Sequence, residues 1–293
     1  MSVELAWDGR AEIGEGPVWD DQSGRLHWVD IPAGVVHRYS PADGSDQPLV
    51  VGRSVGSVGL GKRGGLVAAT AEGFALYEAG AAAPCRTVEV EPDLPGNRMN
   101  DGGCDPAGRF WAGTMAWNHE PGAGALYRLG PAGDILVAAR MLGGLTIANG
   151  LDWSPDGRLF YYIDSDTQRV DVFDFDAAEG SLRNRRPFVH VPIAEGLPDG
   201  LAVDADGCVW VALFGTGRVR RYTPQGQVDV EVELPVSLVT SMAFGGHDMK
   251  DLYVTTARHR LTDEERSRQI HAGGLYICRP GPSGLAPRRF GWI

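Results

Sequence analysis

The strongest constraint on how this 293-residue chain folds is that it repeats itself. A short apolar segment recurs at 26–30, 65–69, 109–113, 159–163, 209–213 and 252–256. Tight turns of one kind precede several of these segments, as in Asp105-Pro106-Ala107-Gly108, Ser154-Pro155-Asp156-Gly157 and Asp204-Ala205-Asp206-Gly207. A second segment with an aromatic follows each time, at 36–39, 74–77, 125–128, 172–175, 219–222 and 275–278. Most units end in a weaker strand, such as 49–51 and 228–232. The period of roughly 40–50 residues is that of a four-stranded propeller blade, a unit that buries its faces only against neighbours. The pattern predicts an all-β, six-bladed β-propeller, one domain over residues 1–293. A strand at 3–7 is expected to complete the last blade, because closure removes the free sheet edges.

Two segments interrupt the repeat. Thr262-Asp263-Glu264-Glu265 is a capping-box sequence and predicts a short helix inside blade six. The other is an insertion at 116–124 between the second and third strands of blade three. Both are candidates for the rim of a pocket, though ordinary surface structure is the simpler reading of the helix.

Composition narrows the function. With 43% hydrophobic and 22% charged residues, the chain is an ordinary globular protein, and its 41 glycines and 19 prolines punctuate turns. A net charge of −11 argues against nucleic acid or an acidic membrane face as a partner. The four cysteines, Cys85, Cys104, Cys208 and Cys278, form no C-x-x-C pair and read as free thiols of a cytoplasmic protein. Residues 1–7 carry no signal-peptide pattern, and no apolar run is long enough to span a membrane.

In a propeller the first strand of every blade lines the central channel, so equivalent residues converge on the axis. Those strands begin with Glu15-Gly16 in blade one, Asn100-Asp101 in blade three, Asn149-Gly150 in blade four and Asp199-Gly200 in blade five. The matching positions in blades two and six fall near Val58 and Ser241. One Asn-Gly or Asp-Gly alone would be a turn former. Four aligned polar residues, two of them carboxylates, instead predict an oxygen-lined site for a hard dication. Neither His nor Cys belongs to the set, which disfavours structural zinc.

Successive motifs across nearly the whole chain resemble the regucalcin/gluconolactonase family. They are Gly14-Glu15-Gly16-Pro17-Val18-Trp19, Asn97-Arg98-Met99-Asn100-Asp101-Gly102, Gly113-Thr114-Met115, Ile147-Ala148-Asn149-Gly150-Leu151-Asp152-Trp153-Ser154, Pro198-Asp199-Gly200, Thr240-Ser241-Met242-Ala243-Phe244-Gly245-Gly246 and Ala272-Gly273-Gly274-Leu275. The resemblance implies hydrolysis of a sugar lactone, a small-molecule aldonolactone, at one divalent ion, Ca²⁺, Zn²⁺, Mg²⁺ or Mn²⁺. It implies Glu15, Asn149 and Asp199 as metal ligands, with Asp199 also the catalytic carboxylate, and Arg98 and Asn100 as sugar contacts. Many relatives carry a substrate-binding Glu shortly after Gly-Thr-Met. Counting places Asn118 there, with Glu120 able to substitute.

Arg98 alone would read as well as an ion pair with Asp101. His119 and His271 are the histidines expected near the pocket, the others being surface residues. Trp117 is the one tryptophan considered for sugar stacking; Trp19, Trp28, Trp111, Trp153 and Trp210 read as blade core. No G-x-S-x-G elbow is present, so a serine hydrolase is disfavoured. The alternative to an enzyme is a non-catalytic calcium-binding or protein-interaction propeller. The oligomeric state, the lactone and the native metal are open.

Overall fold

The computed structural model describes residues 2–293. It contains six four-stranded antiparallel sheets, each built from strands consecutive in sequence except the last. In that sheet Val3–Trp7 pairs with Leu275–Cys278, so the N-terminal strand is the outer strand of blade six, as expected. The sheets are the blades of a β-propeller.

Most second strands read as near-continuous apolar runs because both faces of a blade are covered by neighbours. Val209–Phe214 and Leu252–Thr256 are buried at nearly every position. The core is accordingly six separate layers, one per blade junction. Trp111, Trp153 and Phe160 fill the junction of blades three and four. Trp19, Trp28 and Tyr253 fill that of blades six and one, which closes the ring.

The recurring turns anchor this core. Asp204 is fully buried and accepts from the amides of Asp206 and Cys208, each at 3.0 Å. It also accepts from Trp210 Nε1 at 2.9 Å and Arg221 Nε at 2.7 Å. Asp105 does the same for Ala107, Arg109 and Trp111 in blade three. A turn residue thus satisfies the buried indole N–H of the strand that follows.

The last residues form a strap under the ring. Ser283 accepts from the amide of Ala205, Gly291 donates to Gly108, and Arg63 donates to the carbonyl of Ile293. Arg288 Nη1 reaches Asp152 Oδ1 at 2.7 Å. The predicted helix spans Asp263–Arg268, with Thr262 and Glu265 forming a complete capping box.

Candidate functional site

All six first strands carry a one-residue bulge at the same height. Against the second strand, Glu15 and Val18 face Val29 and His27, and Met99 and Gly102 face Thr114 and Ala112. Pairs Ala148/Leu151, Pro198/Leu201, Val55/Ser57 and Val239/Ser241 bracket the other four bulges. A bulge bends the strand and re-aims a side chain. In blades one, three, four and five the residues so aimed are Glu15, Asn100, Asn149 and Asp199. The register corrects the assignment for the other two blades. The equivalents are Gly56 and Thr240, not Val58 and Ser241, as the pairs that bracket each bulge show. Gly56 is glycine for lack of room, since a Cβ there would lie 2.4 Å from the Asn100 carbonyl oxygen. Thr240 spends its hydroxyl on the carbonyl of Gly14 at 2.6 Å.

Two carboxylates, Asp164 buried and Asp30 half-buried, fix the entry of two of these strands. Asp30 accepts from the amides of Glu12 and Ile13, and Asp164 from those of Thr146 and Ile147. Both Asp residues end second strands at the same register, opposite Gly14 and Ala148.

The amide side chains are oriented by a chain of hydrogen bonds. Arg98 Nη1 donates to Asn100 Oδ1 at 2.6 Å, and Asn100 Nδ2 donates to Asn149 Oδ1 at 2.8 Å. Asn149 Nδ2 donates to Ser165 Oγ at 2.8 Å, and that hydroxyl donates to the Pro198 carbonyl at 2.7 Å. The chain starts at a group that can only donate and ends at one that can only accept, so every amide orientation between them is forced. Ser165, fully buried, was not singled out in the sequence; no motif marks it.

The carboxylates are poorly compensated. Glu15 accepts one hydrogen bond, from the Gly16 amide at 3.0 Å, and among the described residues none reaches Asp199. Burial, then repulsion from Asp199 and Asp101, holds Glu15 well above the usual carboxylate range. Burial and repulsion from Asp101 raise Asp199 likewise, against a smaller opposing pull from Arg98. Asp101 is itself pushed up to about 6, first by burial. Burial lowers Arg98 to about 10 while Glu15 and Asp199 oppose the fall. Arg98 makes no ion pair with Asp101; its guanidinium bonds Asn100 and the Met99 carbonyl.

Among the described residues no three His, Cys, Asp or Glu side chains gather as a metal cluster. The donor set here is two carboxylates and an amide oxygen, all hard oxygen ligands. Two buried carboxylates almost free of donors, beside an Asn oxygen turned by its own bonding, fit a dication well.

Glu15, Arg98, Asn100, Asn149 and Asp199 line one cavity of about 550 Å³, walled by apolar residues such as Ile13, Ile147, Phe214 and Leu238. The opposite mouth holds a smaller space of about 160 Å³, lined by Asp101 and Asp152 and crossed by the strap at Leu285 and Arg288. The insertion after Met115 gives Trp117 and His119 to the larger cavity. Asn118 and Glu120 are exposed and do not line it; the Asn118 side chain accepts from the Glu120 amide instead. His271 lies away from the cavity, against Asp8, whereas His259 lines it. His259 precedes the helix of blade six, and that excursion also brings Arg260, Leu261 and Glu265 to the rim.

Residues 13–258 match the sequence pattern described as the SMP-30/Gluconolactonase/LRE-like region. The chain belongs to this family. Regucalcin of Xenopus laevis is 38% identical over 297 residues, covering 99% of this chain and 98% of its own. A Bacillus subtilis (strain 168) protein, provisionally named sugar lactone lactonase YvrE, is 35% identical over 291 residues, with 99% of each chain covered. The crystal structure of a calcium-binding protein, regucalcin, from Agrobacterium tumefaciens superposes with a TM-score of 0.94 at 28% identity, covering 99% of this chain and 97% of that one. The family pattern spans Glu15, Arg98, Asn100, Asn149 and Asp199 and the loop carrying Trp117. It stops at Arg258, one residue before the excursion that supplies His259, Arg260 and Glu265 to the rim.

Proposed function

We propose that this chain is a metal-dependent lactonase that opens a sugar lactone, an aldonolactone, to the aldonic acid. The observation that carries the reading is the pair of buried, nearly donor-free carboxylates, Glu15 and Asp199, facing a roomy cavity beside the forced oxygen of Asn149 and the guanidinium of Arg98. The family, and the lactonase activity in the name of the Bacillus relative, support it. The calcium named for the Agrobacterium protein supports a dication.

Glu15, Asn149 and Asp199 would hold the ion. When bound, a dication polarises the lactone carbonyl and makes a nearby water more acidic. Asp199 accepts the proton of that water as its oxygen bonds to the carbonyl carbon. The ring C–O bond then breaks, and the ring oxygen takes the proton to become a hydroxyl. Arg98, always charged, acts through its N–H edge on sugar hydroxyls or developing oxyanion charge. Asn100 holds Arg98 and Asn149 together and stands close enough to contact the sugar. The apolar walls exclude bulk water, which strengthens each of these polar contacts.

A hydrolysis screen with a pH indicator tests this, over five- and six-membered aldonolactones. It uses metal-stripped protein, and protein given Ca²⁺, Mg²⁺, Mn²⁺ or Zn²⁺ separately, with spontaneous opening subtracted. Metal-dependent turnover of at least one lactone is expected. Calcium binding without turnover of any lactone would overturn the reading in favour of a non-catalytic calcium-binding propeller.

A further inference from the structure

The ladder of blade three sets Trp117 against Arg98. Arg98 pairs with Met115, and the Trp117 amide donates to the Gly96 carbonyl at 3.0 Å, which continues the pairing past the strand end. Trp117 therefore stands two residues beyond the partner of Arg98, on the same face and diagonally opposite, within reach of a long side chain. The guanidinium carbon lies 4.8 Å from the centre of the indole ring. Arg98 is buried, and Nη1 is the nitrogen that holds it, through Met99 and Asn100. Its Nε is buried without a partner. One anchored nitrogen is a pivot, about which a flexible side chain can swing. The ring face removes that freedom and leaves Nη2 for a ligand in the cavity.

We propose that Trp117 is a positioning residue that holds the Arg98 guanidinium for substrate, and is not a platform for the sugar ring. One indole face is taken by the guanidinium, and the loop is pinned by the Gly96 bond and by the Gly122 amide donating to Thr146 Oγ1 at 3.2 Å. The proposal rests on the lactonase reading for its kinetic test but not for its spectroscopic one.

The test is a double-mutant cycle in kcat/KM on the best lactone, using Trp117→Ala, Arg98→Met and the double variant; methionine keeps the buried volume. Trp117→Ala alone is expected to lower kcat/KM by about five- to thirtyfold, the range of a partly desolvated cation–π pair. In the Arg98→Met background the same change is expected to have less than about a twofold effect, because coupled residues are not additive. Trp117→Phe, which keeps a ring face, should recover most of the loss. A full Trp117→Ala effect without Arg98 would mean that the ring touches the sugar directly, and would overturn the proposal. So would native kinetics in Trp117→Ala.

A second measurement needs no substrate. The Arg98 Hε proton, assigned by its loss in Arg98→Met, should be shifted upfield by the ring in NMR spectra and return toward the ordinary position in Trp117→Ala. If the unaltered protein hydrolyses no lactone, the functional reading falls and this measurement alone decides. An Hε signal unmoved by Trp117→Ala then overturns the positioning role.

Discussion

Ser165→Ala removes one oxygen and should weaken metal binding through Asn149, whose amide that hydroxyl orients. The hydroxyl has a single proton, spent on the Pro198 carbonyl, so its lone pair takes Asn149 Nδ2. Without it, that N–H is left buried with no acceptor, which costs about 1–3 kcal/mol. Asn149 can escape only by rotating its amide, which sets Nδ2 against Nδ2 of Asn100 and turns the oxygen from its place. Asn100 cannot rotate in response, because Arg98 donates to its oxygen. The Pro198 carbonyl also loses its donor one residue before Asp199. Loss of such an outer partner lowers metal affinity by about 10- to 100-fold, or about 1.4–2.7 kcal/mol. Calorimetric titration of metal-stripped protein with Ca²⁺ and Mn²⁺ reads this directly, and thermal unfolding of the apo form checks that the fold survives. A folded Ser165→Ala protein with affinity within twofold of the original would refute the reasoning: the amide orientation would then owe nothing to the hydroxyl.

Glu15→Gln keeps the shape but removes one of two carboxylate charges, and should lower dication affinity in the same titration. Asp199→Asn, assayed at saturating metal, should lower kcat by about 10²-fold or more, the usual scale for loss of a general base. Near-native kcat would take that role from Asp199. Burial, the largest influence, lowers His27 to about 4, so the folded protein keeps it neutral while the unfolded chain takes up a proton below about 6.5. Stability should therefore fall as pH drops from about 6.5 to 4, by up to about 3 kcal/mol. Denaturant unfolding of His27→Gln should show a shallower acid slope than the parent. Asp204→Ala strands Trp210 Nε1 and leaves the buried Arg221 with Asp206 and Asp229 alone, and should destabilise by about 3 kcal/mol or more in chemical unfolding.

The blades were legible because the repeat is carried by apolar strands and by turns whose chemistry is local. At two of the turns the chemistry also reaches the core, since Asp105 and Asp204 each accept from a buried tryptophan. The axial positions were legible in four blades, where a polar residue is followed by a small or polar one. They were misplaced in blades two and six, where Gly56 and Thr240 bring no carboxylate or amide to mark the position. Parity explains the loop. Counting from Met115 led to Asn118, but the pairing runs one residue past the strand end, which puts Trp117 on the face of Met115, and a turn closed by the His119 amide on the Ala116 carbonyl then brings His119 to the cavity and leaves Asn118 outside it. A slip of one residue reverses every side chain. Ser165 and His259 were invisible for a different reason. Ser165 meets Asn149 and Pro198 across 16 and 33 residues of sequence, and His259 depends on where an irregular excursion lies.

Charge along the channel links the candidate site to the stability of the ring. Glu15, Asp101 and Asp199 are buried carboxylates near one axis, and Arg98 is the cation held among them. The next cation along the channel, Arg288, is taken up by Asp152 at the far mouth. Glu15 and Asp199 have folded pKa values above their unfolded ones, so the unfolded chain loses those protons first. Stability therefore falls as pH rises through that interval, and at neutral pH the channel works against the fold. A dication held between Glu15 and Asp199, as proposed, would reverse the sign, because it would favour the ionised form that burial opposes. A ligand bound only by the folded chain adds stability in proportion to the logarithm of its concentration over Kd. The donor set that suits lactone chemistry is thus also one that the ring tolerates best when it is filled. On the proposed reading the apolar cavity above it would have a second role, since keeping bulk water from the carboxylates would deepen their need for a dication.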